Sequence, residues 1–486
     1  MTRQATRSMA SAWLAAALWC AGGAGPADAA LSADALRTIR HLPIQHNGRT
    51  KPFDSFARET LQHLTGSPRH GAQDPVETVL GILASPERWQ AEPLLAVPFV
   101  PLREALGLGP KTARVSYDQL IETRALMRRL PAIVEKQRRD EKLSMLEQET
   151  MDAFDRFVTF SNLIEHKLAI VPPPTALVRE WQPILPGPPL AGAGAGKPAG
   201  YPPERQRAFR DAWSALLDAL RGSEPRPIED AARRLSEVLH AANPAAHPAR
   251  WRLRLEVLYN RAGPFQVAAL LYGVAALGLF AGLASARRQA AQAAAVGMRV
   301  CWAAALLHAA GIAVRVVLGG RPPVSNFYET MLWLPFVGVA LALIFERVYR
   351  ARYFALAAAI LAAITLVLAD QVPLDSSITP VVAVLRSNLW LTIHVLTIVA
   401  SYGALALATV LAHLYGALYL SRRRHPALAS LDLFLYRAIQ VGVVLLAGGV
   451  MLGAVWANAS WGRYWGWDPK ETWALITLLW FLAVLH

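Results

Sequence analysis

Cysteine is almost absent from this 486-residue chain, which has only Cys20 and Cys301. Two thiols, one in an N-terminal leader-like stretch and one in an apolar run, cannot form the disulfide framework of a secreted scaffold. A C-x-x-C-H segment is also missing, so the chain carries no covalently attached c-type haem of its own. Charge is scarce: 17% of residues are charged and 54% are hydrophobic, too apolar for an ordinary soluble protein of this length. Acid is scarcer than base, with 35 Asp and Glu against 49 Lys and Arg, for a net charge of +14. Zinc-finger spacing and a basic stripe interleaved with aromatics are both lacking. The arginines gather instead at the ends of apolar runs, where membrane topology selects them. Nucleic acid is therefore set aside as a partner, and membrane lipid takes its place.

What is present begins with Arg3 and Arg7, an apolar stretch from Ala10 to Ala21, and Ala27-Asp28-Ala29. That order reads as a signal peptide over residues 1–29, with an uncleaved anchor as the alternative; both imply that residues from 30 onward are exported. Residues 30–170 read as an exported, mostly helical domain. Within it, amphipathic helices between Val115 and Ile170 break near Pro131, and Phe154, Phe157, Ser161, Ile164 and Leu168 mark one face. Residues 171–203 are a Pro/Gly/Ala linker too poor in buriable surface to order itself. An exported helical segment, 204–262, comes next, with helices at Glu204–Leu220 and Pro227–His240.

From residue 263 the chain becomes a membrane domain. Apolar runs lie at 264–284, 296–319, 329–346, 353–369, 388–420, 436–457 and 472–486, and most approach the roughly 20 residues a span needs. The expected fold is all-α: a polytopic helical membrane domain of about seven spans behind the exported domain. The last run stops at His486 and reads as a span cut short. With the start of the first span outside, inner loops carry Arg287, Arg288, Arg299, Arg347, Arg350, Arg352, Arg422, Arg423, Arg424 and Arg437. Outer loops carry only Arg321, Arg386, Arg463 and Lys470. This is the positive-inside bias expected of a bacterial cytoplasmic (inner) membrane protein with its N-terminal domain periplasmic.

Between Trp456 and Trp473 the chain reads WANASWGRYWGWDPKETW, five of its 15 tryptophans on one stretch at the outer face. An interfacial aromatic belt would be scattered over several spans. A flat aromatic platform with a few charges suits a large planar ligand with acidic groups, which describes haem. Trp461, Trp465 and Trp467 offer stacking faces, and Tyr464 another. Arg463 and Lys470 are candidate partners for propionates. Asp468 before Pro469 reads as a helix N-cap, with Glu471 in the first turn. His394, about six residues into its span, is an available axial ligand for iron. His308 and His413 lie in spans and suit either interhelical hydrogen bonding or haem contact. Arg315 suits either a propionate or the membrane surface.

The segment WGRYWGWDPKETW resembles the WWD signature of haem-handling membrane proteins, and its DPKETW ending is most similar to the CcsA (ResC) family. RPPVSNFYETMLW (321–333) and SNLWLTIHVLTIVASYGALAL (387–407) resemble two further segments of that family, in the same order, over roughly residues 290–486. LPIQHNGRTKPFDSFARE (42–59) resembles the exported segment that precedes the CcsA part in longer relatives. The resemblance implies a system II cytochrome c biogenesis protein that binds haem b at the exported face. It would present that haem for thioether attachment to the CxxCH cysteines of apocytochrome c, as a component of holocytochrome-c synthase. His394 corresponds to the first axial histidine, while the second belongs downstream of this sequence. His486 matches a family histidine that holds haem deeper in the membrane, so His394 and His486 are the implied metal ligands. A CcsB/ResB-like membrane protein is the implied partner, and no nucleophile of the chain is required. Two other readings are a CcmC-like transporter that delivers haem without joining it and an ion- or quinone-coupled channel.

Overall fold

A computed structural model of the chain describes residues 31–175, 179–184, 200–222, 224–285, 287–372, 374–380, 389–421, 425 and 427–486. The leader with Cys20, the middle of the Pro/Gly/Ala linker, Arg386, Arg422, Arg423 and Arg424 lie outside these residues. The chain divides into two compact units, Met1–Val257 and Leu258–His486.

In the N-terminal unit, α1 (Ala33–Arg40) leads into a hairpin of β1 (Pro43–His46) and β2 (Arg49–Pro52). There follow α2 (Phe53–Thr65), α3 (Pro75–Ala84), α4 (Pro86–Ala91), β3 (Leu95–Ala96), α5 (Val100–Ala105) and β4 (Arg114–Val115). Next come α6 (Tyr117–Thr123), α7 (Ala125–Arg138), α8 (Met145–Ile164), α9 (Pro203–Gly222), α10 (Pro225–Ala242) and α11 (Arg250–Ala262), whose residues from Leu258 onward belong to the second unit. The hairpin turns at Asn47-Gly48, both with positive φ (49° and 72°), the backbone that a two-residue connection between twisted strands demands. It brings Arg49 onto α11, where both terminal guanidinium nitrogens donate to Glu256 at 2.7 Å. Ser55 at the start of α2 donates to the same carboxylate at 2.6 Å. Lys51, fully buried, donates to Glu59. Residues 42–59 therefore form a polar clasp around an apolar core that includes Phe53, Phe160 and Trp213.

The expected break near Pro131 does not occur. Pro131 lies inside α7, where its missing N–H forfeits a single backbone bond. The breaks fall at Arg124, which adopts a left-handed conformation, and before Ser144, whose side chain and Glu147 form a capping box that starts α8. The buried face of α8 is Ala153, Phe157, Phe160 and Leu163, one step round the helix from the expected stripe. Tyr117 stacks on Phe157 with centroids 4.7 Å apart and bonds the Ser161 hydroxyl at 2.8 Å. The ends of the Pro/Gly/Ala segment are ordered. Val171 pairs with Gln182, Ile184 donates to the Leu168 carbonyl at 3.0 Å, and Val171, Trp181, Ile184 and Tyr201 are buried. A few large apolar side chains among the prolines suffice to hold those ends on the core.

The second unit contains α12 (Pro264–Ala284), α13 (Arg288–Gly319), α14 (Phe327–Tyr349), α15 (Tyr353–Gln371), α16 (Leu389–Ser421), α17 (Ala427–Trp461) and α18 (Pro469–Leu485). Among the described residues, six helices are long and apolar enough to cross a membrane; α18, at 17 residues, is shorter. This is a polytopic helical membrane protein, as expected. The helices outrun the apolar windows: α16 and α17 have 33 and 35 residues, about 50 Å each against a hydrocarbon layer of about 30 Å. Helix α15 packs against α12, α14 and α16. Its buried Ala355, Ala357, Ala358, Ala359 and Ala362 keep the backbones close where lipid supplies no hydrophobic drive.

Burial pushes the imidazoles of His63, His70, His166 and His247 in the N-terminal unit below the ordinary histidine range. Unfolding exposes these rings, so the unfolded chain binds more protons and stability falls as pH drops below the unfolded value of about 6.5. Limited proteolysis of the full chain should therefore show the N-terminal unit more readily cleaved at pH 5.5 than at 7.5. His166 sits at φ 55° with Nδ1 buried and without a hydrogen-bond partner among the described residues. His166→Asn, which tolerates that backbone and does not titrate, should flatten the pH response.

Candidate functional site

Helices α16 and α17 form a long antiparallel pair. His394 lies five residues into α16, about 7.5 Å from its start. Its Nδ1 is 2.7 Å from the backbone carbonyl of Gly449 on α17. A carbonyl only accepts, so Nδ1 carries the hydrogen and the lone pair of the neutral ring is left on Nε2. The ring fits because α17 has glycine where it approaches. A β-carbon at Gly453 would lie 2.6 Å from the His394 Cε1, and one at Gly449 would lie 2.9 Å from Ile398. Gly449 and Gly453 make a G-x-x-x-G notch. The tryptophan-rich stretch lies beyond it, since α17 continues eight residues past Gly453 to Trp461, about 12 Å.

The loop from Gly462 to Asp468 is pinned at both ends. Gly462 has φ 70° and donates its N–H to Asn458, closing α17. Asp468 accepts from the Glu471 N–H at 2.8 Å and starts α18, and the Glu471 carboxylate reaches back to the Gly466 N–H at 2.7 Å. The side chain of Asp468 is thus a helix cap. Arg463 folds over Gly466, where a β-carbon would come within 2.7 Å of the guanidinium carbon. Trp461, Tyr464 and Trp467 are 57%, 62% and 70% exposed, so their faces are open to a ligand. Trp465 is half-buried and its indole N–H has no partner among the described residues. Trp465 and Trp467 meet edge to face at 5.9 Å, and Trp456 and Trp461 at 4.6 Å. Arg463 and Lys470 are exposed.

The structure brings together the three segments that carried the resemblance. Trp333, at the end of segment 321–333, donates to the carbonyl of Leu396, two residues beyond His394. His394 in turn holds α17, and α17 carries the loop. His308 is elsewhere, between α12 and α14: its Nε2 faces the Leu332 carbonyl at 3.1 Å and its Nδ1 the Tyr272 hydroxyl at 3.4 Å, so both ring nitrogens are engaged within the protein. His413 bonds the Thr409 carbonyl of its own helix at 2.7 Å. His486 is exposed beyond the end of α18, about 27 Å along the helix from Asp468.

Arg315 is neither at the surface nor free. It bonds Glu329 at 3.0 Å and the Ser376 carbonyl at 3.0 Å, and lies over the Tyr328 ring. Arg321 bonds the other oxygen of Glu329 at 2.5 Å and the Thr379 carbonyl at 2.8 Å. One buried carboxylate thus holds two guanidiniums, which in turn strap residues 376–379 over the ends of α13 and α14. Sequence reasoning missed Glu329, which looks like an ordinary first-turn acid. It also missed the notch, although the G-x-x-x-G spacing inside an apolar run was a readable signal.

The arrangement defines a class: a helical membrane protein presenting an aromatic loop and a nearby imidazole at one end of a helix pair. The cytochrome C assembly protein family matches residues 324–486. CcsA of Guillardia theta, a cytochrome c biogenesis protein, is 35% identical over 210 residues, covering 36% of this chain and 68% of its own length. CcsA of Chlamydomonas reinhardtii is 34% identical over 183 residues, 36% of this chain and 52% of its own. NrfI of Wolinella succinogenes is 30% identical over 462 residues, 90% of this chain and 48% of its own, a match that takes in the N-terminal unit. The chain belongs to the CcsA family of cytochrome c biogenesis proteins. It spans about half the length of NrfI.

Glu329→Ala would leave two buried guanidiniums unpaired and should destabilise the membrane unit by about 3–5 kcal/mol. Thermal aggregation of the detergent-solubilised protein measures this, and Glu329→Asp should recover part of the loss.

Proposed function

We propose that this chain holds haem b, as substrate, at the exported face of the bacterial inner membrane and presents it to apocytochrome c. The observation that carries this reading is the fixed tautomer of His394 beside a loop of open indole faces. Nδ1–H is committed to Gly449, so the free lone pair is on Nε2, the arrangement that orients metal-binding histidines. Trp461, Tyr464, Trp465 and Trp467 supply faces for the porphyrin, and Arg463 and Lys470 supply cations for its propionates. Asp468 serves the site by fixing the loop. His486 is the candidate ligand for haem held deeper in the membrane, and His308 is assigned to helix packing.

The reaction served is thioether formation. Each cysteine thiol of a CxxCH segment adds across a haem vinyl group: sulfur bonds the carbon next to the ring, the proton goes to the outer carbon, and no oxidant is consumed. The protein's part is to hold the macrocycle and the incoming peptide in register. The positive-inside distribution supports a periplasmic N-terminal unit and loop, and a signal peptide over residues 1–29 accords with that. A CcsB/ResB-like membrane protein is the proposed partner.

The absorption spectrum of the purified protein tests the site. A Soret band should be present and should largely disappear in His394→Ala and in Trp465→Ala. Gly453→Ala, which displaces the imidazole without removing it, should weaken haem retention about 10–100-fold, the usual cost of disturbing a ligand's support. A colourless wild-type protein from haem-replete cells would overturn the reading. Haem retention without thioether formation on a CxxCH peptide by the complex with its partner would reassign the chain to haem delivery.

A further inference from the structure

A cavity of about 480 Å³ lies in the N-terminal unit between α1, α10 and residues 247–254. Its lining contains four guanidiniums, those of Arg37, Arg233, Arg250 and Arg254, against one carboxylate, Glu237. Arg37 is bridged to Asp34 at 3.1 Å. The side chains of Arg233, Arg250 and Arg254 take part in no hydrogen bond or ion pair within the described residues. Some other arginines of the unit are engaged, Arg49 with Glu256, Arg58 with Asp54 and Arg103 with three backbone carbonyls. Arg207, Arg226 and Arg234 also have no side-chain partner among the described residues but do not line a common concavity. Three unpartnered like charges round one concavity repel each other and add nothing to folding.

Scattered exposed arginines are satisfied by hydration alone. Here the wall beneath them is built. His247 is fixed by the Leu239 carbonyl at 3.1 Å and by the edge of Trp181 at 5.4 Å, and His240 meets it at 4.9 Å. His41 is fixed by the Arg37 carbonyl at 2.6 Å. All three imidazoles line the cavity, adding ring nitrogens that can donate or accept. The volume falls within the range of about 300–1,000 Å³ typical of small-molecule sites and is too small for a folded partner. Guanidiniums bind phosphate and carboxylate through paired N–H bonds, so the lining selects such groups.

We propose that this cavity binds a small molecule or head group bearing two or more negative charges as phosphate or carboxylate. The site is separate from the haem-handling loop and does not depend on that assignment. Two sources of the anion are separable in one experiment on the full chain in a non-ionic detergent or in nanodiscs. Pyrophosphate is titrated calorimetrically into wild type, Arg254→Glu and the double variant Arg233→Glu/Arg254→Glu. These side chains are exposed, and an unchanged proteolysis pattern confirms folding. In parallel, nanodiscs containing phosphatidylglycerol are compared for lipid retained on re-extraction. Saturable one-site pyrophosphate binding, weakened at least tenfold in the variants and by raised salt, supports a soluble anion. No pyrophosphate binding, with phosphatidylglycerol retained by wild type and lost by the variants, supports the same chemistry from a lipid. Binding that is equal in wild type and variants, or missing in both arms, overturns the proposal.

Discussion

The His394 hydrogen bond to the Gly449 carbonyl is the constraint on which the rest of the candidate site depends. It joins α16 to α17 at the level of a glycine notch, and it settles in one stroke which ring nitrogen is spent and which is left. A larger residue at Gly453 would push the imidazole out of the groove. The other tautomer would set the Nδ1 lone pair against the carbonyl oxygen in an apolar setting, a repulsion in place of the bond. Helix packing and the tautomer of the candidate ligand are therefore decided by the same few atoms.

A second polar device steadies the neighbouring helices. Glu329, Arg315 and Arg321 form a buried triad in which further N–H groups of the two arginines reach the carbonyls of Ser376, Ser377 and Thr379. Such a triad contributes little net stability, since desolvation offsets attraction, but it tolerates few alternative arrangements. It fixes a stretch of irregular backbone against helix ends, much as the Arg49–Glu256–Ser55 clasp does in the N-terminal unit.

The membrane helices were legible because apolar runs of span length seldom occur in chains that fold in water; the run at 264–284 coincides with α12. The loop was legible because five tryptophans are a local signal, and Asp468 because a cap is defined by neighbours three residues away. Contacts between distant segments were not. Glu329 and Arg315 are separated by a turn, and only folding shows that the acid serves two cations. Pro131 misled because a proline in the middle of a helix sacrifices one backbone bond, and composition cannot weigh that loss against tertiary packing. The ends of the Pro/Gly/Ala segment misled because average composition hid Trp181 and Ile184. The basic cavity draws on residues from 37 to 254, a span no motif bridges.

The seven residues from Gly462 to Asp468 are clamped by a helix end on one side and a reciprocal cap on the other. A segment so tethered has little freedom to swing, and its rings behave as a shelf rather than a flap. The ordering entropy is already spent on folding, so a flat guest meets a surface that need not rearrange. If the proposed function holds, departure of that guest would fall to competition from an incoming ligand, and turnover would be set by what arrives rather than by any motion of the shelf.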